Sequence, residues 1–331
     1  MPAAKKSKRY WVGFDLGGTK ILAVVFDERF RPVARQRKRT KGHVGVKAGL
    51  KRMGEVIGEA LADAGIGPHQ VAGIGVGCPG PLDLNRGIIL ETPNLGWRNA
   101  RVRETLGKAF GCPVVIANDV DAGVYGEYRF GAARKARCVV GVFPGTGIGG
   151  GGVYCGEILR GKSSSCMEIG HIPVMRDGPL CGCGRRGCLE AVAGRLAISA
   201  SAAAAAYRGD APHLLQAAGT DLSNIRSGPL AQSIAGGDAA VESIVRGAAR
   251  TIGWAMAGVV NALAPDVVLL GGGLVEEMPD LYAGEIGDAL EKQVMPSFAH
   301  SFKLVTAKLG DDASVTGAAA WAQQTVDAAG D

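Results

Sequence analysis

Nowhere in the 331 residues does an uninterrupted apolar run approach the roughly 20 that a membrane-spanning helix needs. The basic start, Met1 to Tyr10, leads into Trp11–Phe26, which carries Asp15 and Lys20 and lacks a small-residue cleavage pattern. A secretory signal is therefore not expected, and the setting read from the sequence is cytoplasmic, with no membrane partner. Aromatic residues make up only 5%, a poor supply for stacking on exposed bases, so no nucleic-acid partner is expected. Charged residues at 21% beside 47% apolar residues argue against general disorder. Acids are missing from two stretches: residues 1–10 hold four Lys and Arg, and residues 29–52 hold ten. The run Arg29, Arg31, Arg35, Arg37, Lys38, Arg39, Lys41 reads first as a solvated strand face and turn; binding of a polyanion such as polyphosphate is the alternative.

Glycine is abundant, at 52 residues, and clusters between apolar runs where backbone must pass close to something. Tyr10–Leu16 and Lys20–Asp27 read as a hairpin closed by Gly17-Gly18-Thr19, followed by a half-exposed strand, 30–40, and a helix, 46–64. Val71–Gly77 is a buried strand, 102–110 a helix, and Val114–Ala117 a strand delivering Asn118-Asp119 at its end. The order then restarts about 128 residues on, with strands 137–143 and 148–155 around Gly145-Thr146-Gly147. Helices are expected over 187–208, 239–263 and 314–324, and strands over 266–270 and 302–307. Such self-similarity predicts two related α/β lobes with a ligand cleft between them. The expected division is 1–119 plus 314–331 for the smaller lobe and 120–313 for the larger.

Two glycine turns are candidate phosphate sites: Asp15-Leu16-Gly17-Gly18-Thr19-Lys20, and Gly145-Thr146-Gly147-Ile148-Gly149-Gly150. Without Cβ atoms, backbone N–H groups approach an anion closely; Thr19 and Thr146 add hydroxyls, and Asp15 can hold Mg²⁺ through water. Gly271-Gly272-Gly273, after a buried strand, is a third close-approach site, suited to a nucleotide base and ribose. Asp119 sits where a carboxylate can accept a proton from a substrate hydroxyl, although Asp is also a favoured helix N-cap. His171, Cys181, Cys183 and Cys188 make a Cys₃His set, whose soft thiolates and imidazole favour Zn²⁺.

Asp15–Lys20, Gly145–Gly152, Glu168–His171 and Cys181–Glu190 together resemble the ROK family of bacterial sugar kinases and sugar-responsive repressors, and most closely its glucokinases. No departure from the catalytic or zinc motifs of that family is seen. The resemblance implies a two-lobed actin/hexokinase-like ATPase fold (ribonuclease H-like), ATP-dependent phosphorylation of D-glucose, Mg²⁺ with the nucleotide, a structural Zn²⁺, and a homodimer or homotetramer. It also implies that Asp119 is the catalytic base, and that Asn118, Glu168, Glu190, His171, and Asn94 in Thr92-Pro93-Asn94, hold sugar hydroxyls, with Pro79-Gly80 as cleft wall. Fructose, mannose, N-acetylglucosamine or N-acetylmannosamine are alternative substrates. A sugar-responsive repressor is the alternative of another class; only 14 residues precede Asp15, short for the helix-turn-helix domain such repressors carry.

Overall fold

The computed structural model describes residues 9–92 and 95–329, and two compact units emerge. The first comprises Met1–Lys135, Gly156–Met167 and Asp311–Asp331; the second comprises Ala136–Cys155 and Glu168–Gly310.

In chain order, β1 (Tyr10–Leu16) and β2 (Lys20–Phe26) form the first hairpin, followed by β3 (Pro32–Arg39) and α1 (Val46–Asp63). Next come β4 (Val71–Cys78), β5 (Leu82–Asp83), β6 (Ile88–Thr92), β7 (Trp97–Arg101), α2 (Val102–Phe110), β8 (Val114–Asn118) and α3 (Asp119–Phe130). The second unit opens with the hairpin β9 (Cys138–Pro144) and β10 (Ile148–Tyr154). After β11 (Glu157–Ile158), a segment of the first unit, come α4 (Leu189–Ala193), α5 (Arg195–Tyr207), α6 (Pro212–Ala218), α7 (Ser227–Gly236) and α8 (Ala239–Leu263). The second unit ends with β12 (Val267–Leu270), α9 (Gly273–Glu277), α10 (Pro279–Gln293) and β13 (Lys303–Thr306); α11 (Ala313–Ala328) belongs to the first.

The repeat read from the sequence is real. The first sheet runs β3-β2-β1-β4-β8, and within the second unit the order is β10-β9-β12-β13. In each, an antiparallel hairpin carries two further strands parallel to its first strand. Of the parallel strands, β12 is apolar throughout, as a central strand covered on both faces must be: Val267, Val268, Leu269 and Leu270 are all buried.

The lobe boundary falls elsewhere than the sequence suggests. The first unit keeps α3, runs to Lys135, and takes back Gly156–Met167. Small residues are the cause: α3 and α11 pack so closely that a Cβ on Gly317 would stand 1.7 Å from the Ala122 carbonyl oxygen. The expected helix over 187–208 is broken at Gly194, whose extended backbone ends α4 and opens α5. By length and mean hydropathy Leu189–Tyr207 would pass for a membrane span; it carries Glu190 and Arg195, and Ile198, Ala202, Ala205 and Ala206 are buried within the protein.

The small sheet β5-β6-β7 was not foreseen, since its strands are two to five residues long and leave little periodicity. It supports Trp97, which is fully buried and donates from Nε1 to the Gly42 carbonyl at 3.1 Å.

The basic run finds counter-charges both nearby and, at Asp311 and Asp312, far along the chain. Arg37 pairs with Asp311 at 3.0 Å, Arg31 with Asp27 at 2.7 Å, Arg35 with Asp312, and Lys38 with Glu59. These pairs are solvent-exposed, so each contributes at most about 1 kcal/mol, and they occupy four of the seven positive charges of the run.

Two glycine-to-alanine substitutions should separate close packing from chain entropy. Gly58→Ala, in α1 with open space around it, should stabilise the fold by about 0.5–1 kcal/mol. Gly317→Ala should destabilise by about 3 kcal/mol or more, because backbone rather than a flexible side chain blocks the methyl. Urea unfolding of the two variants checks both signs.

Candidate active site

In the first unit the parallel register sets the site. Asp15 lies opposite Gly77 of β4, and Cys78 lies opposite Asn118 of β8, so the three strands end together. Ligand sites in parallel sheets form at such carboxyl ends. Asn118, not Asp119, caps α3: its Oδ1 accepts from the N–H groups of Val120 at 2.9 Å and Asp121 at 3.3 Å. That leaves Asp119 as the first helical residue, with one carboxylate oxygen accepting from Val120 N–H at 3.0 Å and the other available. Gly80, just beyond β4, lies beside Asn118, where a Cβ would be 3.9 Å from Nδ2. Pro79 precedes it; Asn94 lies outside the described residues.

Two carboxylates share this place. Burial pushes Asp15 up from 3.8 to about 6, against a 2.9 Å hydrogen bond from Ser314, and the charge of Asp119 raises it further. Burial also raises Asp119 itself. The Cys78 thiol, fully enclosed, is held well above its ordinary range by burial and then by both carboxylates. The Gly17–Lys20 turn is braced by Thr40, whose hydroxyl donates to the Gly17 carbonyl at 2.6 Å and whose N–H donates to Thr19 at 2.9 Å. Lys20 extends to Asp311 at 2.9 Å.

The second unit gathers the remaining candidates. The turn Gly145-Thr146-Gly147 closes with Gly145 N–H on the Gly147 carbonyl at 2.8 Å. The start of α5 holds it, because Arg195 N–H donates to the Gly145 carbonyl at 2.9 Å, satisfying a helix-end donor that would otherwise be orphaned. Gly271 and Gly272 abut the end of β9: a Cβ on Gly271 would strike the Phe143 ring, and one on Gly272 the Pro144 carbonyl at 2.8 Å. Gly273 follows, opening α9. Gly149 and Gly150 lie within β10, opposite Phe143 and Val142.

His171, Cys181, Cys183 and Cys188 converge, with one ligand atom from each lying within 4.8 Å of all the others. The Cys183 and Cys188 sulfurs are 3.7 Å apart, and Cys181 Sγ is 3.6 Å from His171 Nδ1. An ion holding thiolates at ~2.3 Å in a tetrahedron spaces them by about 3.8 Å, so the set fits one such ion. Gly187 makes the loop possible: its φ is 72°, and a Cβ there would stand 1.7 Å from the Met175 carbonyl oxygen. Nδ1 faces the cluster, which leaves His171 Nε2 for another partner. Glu168 immediately precedes the short helical turn that carries His171, and its carbonyl accepts from His171 N–H at 2.9 Å.

Glu190 joins the cluster to the glycine turn. One carboxylate oxygen accepts from Ile148 N–H at 3.0 Å, and the other lies 3.8 Å from Cys181 Sγ. Gly147 leaves room for it, since a Cβ there would stand 2.0 Å from that carboxylate and displace it.

Comparison with known proteins bears directly on this arrangement. The family model described as "ROK family" matches residues 11–325. The chain belongs to the ROK family. A glucokinase from Thermotoga maritima is 32% identical over 325 residues, covering 93% of this chain and 95% of its own. Among solved structures, a ROK family glucokinase from Streptomyces griseus in complex with glucose and AMPPNP superposes with a TM-score of 0.81 at 30% identity, covering 95% of this chain and 99% of that one. A ROK family transcriptional regulator, a homologue of the E. coli MLC protein, has a TM-score of 0.84 at 26% identity, covering 96% of this chain and 78% of that one. The α/β architecture is thus the actin/hexokinase-like fold of the ROK kinases.

Three residues of this ROK chain were not singled out in the sequence: Ser314, Thr40 and Arg195. Each belongs to no motif and meets its partner, Asp15, Gly17 or Thr146, only through the fold.

The elevation of Asp15 has a measurable sign. A carboxyl raised from 3.8 to about 6 binds its proton more tightly in the native state, so stability falls as pH rises through that window. Asp15→Asn, measured without divalent cation, should therefore be more stable than the native chain by about 1–3 kcal/mol near pH 8. The gain should vanish below about pH 4, where both states are protonated. Denaturant unfolding across pH tests this; a gain independent of pH would remove the buried charge as its cause.

Proposed function

We propose that this chain is a glucokinase: ATP + D-glucose → ADP + D-glucose 6-phosphate. The observation that carries this reading is Asp119, a half-buried carboxylate with a pKa raised by desolvation, relieved of the main capping role by Asn118 and standing beside Asp15. Such a group is suited to take a proton from an alcohol near neutral pH. Its context is a ROK chain about 30% identical to glucokinases over nearly its whole length.

Asp119 takes the proton of the sugar 6-hydroxyl as that oxygen forms its bond to the γ-phosphorus, and the bond to the β–γ bridging oxygen breaks, releasing ADP. Phosphoryl transfer asks the protein for positioning and charge stabilisation rather than covalent help. Asp15, Gly17, Gly18, Thr19 and Lys20, with Gly145, Thr146, Gly147, Gly149 and Gly150, hold the phosphates; Gly271, Gly272 and Gly273 admit the nucleoside. Asp15 would hold, through water, the Mg²⁺ that accompanies ATP, and when bound that ion would neutralise charge on the phosphate oxygens. Asn118, with its Nδ2 available to donate, Glu168, Glu190, His171 through Nε2, and Asn94 hold the sugar, with Pro79-Gly80 alongside. Zn²⁺ on His171, Cys181, Cys183 and Cys188 is structural, supported by the donor set and its spacing.

ATP is favoured over polyphosphate because four charges of the basic run, Arg31, Arg35, Arg37 and Lys38, already pair with Asp27, Asp312, Asp311 and Glu59. The reading includes a cytoplasmic setting, no nucleic-acid or membrane partner, and a homodimer or homotetramer.

Asp119→Asn should leave glucose affinity within about twofold while lowering kcat by at least ~10²-fold, as expected for loss of a general base. A coupled assay with ATP and a hexose panel measures this, and near-normal turnover would remove Asp119 from the role. One zinc per chain should co-purify; Cys183→Ala should lose the metal and with it part of the thermal stability. Elemental analysis finding fully stable protein without metal would overturn the zinc reading.

A further inference from the structure

Beside the second glycine turn stands a positive charge that the family motifs leave unused. Arg195 Nη2 donates to Thr146 Oγ1 at 2.7 Å, and Nη1 donates to the Ile225 carbonyl at 3.3 Å. Its backbone N–H meanwhile holds the Gly145 carbonyl, so side chain and main chain grip the same turn. The guanidinium is half-buried, and among the described residues no carboxylate pairs with it. Burial lowers its pKa, and so does a neighbouring positive charge, Arg226, which is likewise without a carboxylate partner among the described residues. Two guanidinium groups that repel one another beside a glycine turn mark a place short of negative charge.

We propose that Arg195 is a phosphate-binding residue, contacting the polyphosphate of a nucleotide at the Gly145–Gly147 turn. The proposal deepens the kinase reading and rests on it. The chemistry is that of a donor relay. A guanidinium carries five N–H donors, and the contacts in the structure use two, so three remain for an anion. The Thr146 oxygen already accepts from Arg195, which directs its own hydrogen outward as a further donor. Planar, permanently charged and weakly hydrated, arginine suits phosphate better than lysine would at this position. Arg226 adds long-range attraction without having to touch the ligand.

The test compares adenosine, ADP and AMPPNP by titration calorimetry on the native chain, Arg195→Gln and Arg195→Lys, together with ATP-dependent glucose phosphorylation. Arg195→Gln should weaken AMPPNP and ADP at least ~10-fold, the size expected for loss of a charged hydrogen bond. Adenosine should bind within about twofold of native, KM for glucose should be unchanged, and Arg195→Lys should recover part of the loss. AMPPNP affinity within twofold of native in Arg195→Gln would overturn the proposal. An equal loss for adenosine would also overturn it, since that marks a distorted turn rather than a lost phosphate contact. Failure of the kinase reading looks different: the native chain would phosphorylate no hexose while the phosphate-dependent loss in Arg195→Gln persisted.

Discussion

The parallel register of β1, β4 and β8 is the constraint on which the first unit's chemistry depends. Pairing Asp15 with Gly77 and Cys78 with Asn118 brings three strand ends level, so two carboxylates meet in one partly desolvated place. Burial raises the proton affinity of each acid, the charge of Asp119 raises that of Asp15 further, and α11 supplies Ser314 to hold Asp15 in position. That helix sits close enough only because Gly13, Gly75, Gly126 and Gly317 carry no side chain; a Cβ on Gly75 would stand 1.7 Å from the Ala318 carbonyl oxygen. Packing of small residues and electrostatics of the site are therefore one design.

In the second unit the glycine turn is held by neighbours rather than by its own sequence. The first N–H of α5 takes one carbonyl, Arg195 takes the Thr146 hydroxyl, and Glu190 takes Ile148 N–H while leaning on Cys181. A turn in which two of the three residues are glycine would otherwise have many conformations to lose on ordering. Tying it to a helix start and to a cysteine cluster means that order at the cysteine loop and order at the glycine turn are shared through one carboxylate. The Gly187 and Gly147 positions show how little room that arrangement leaves.

Much of this was readable along the chain. Each hairpin of the repeat, the long helix over Ala239–Leu263, the buried strands, each glycine turn and the Cys₃His set lies within one short window, where periodicity and spacing speak directly. The small sheet holding Trp97 did not, since strands of two to five residues carry no usable period. Nor did the lobe boundary, because whether α3 belongs with α11 depends on glycines some 190 residues apart in sequence meeting face to face, Gly126 with Gly317.

By itself, then, the sequence determined the α/β class, the internal repeat and the chemical types at the site, because all of these are local patterns. Only the tertiary structure decided which of two adjacent residues caps α3: the Asn118 side chain reaches Val120 and Asp121, and Asp119 becomes the first helical residue, accepting from Val120 N–H alongside it. It likewise decided the fate of the basic strand, which looks unopposed along the chain yet meets Asp311 and Asp312 from the far end. Charge pairing, capping and desolvation depend on distance in space, and the chain order does not record that distance until the sheet and helices have closed.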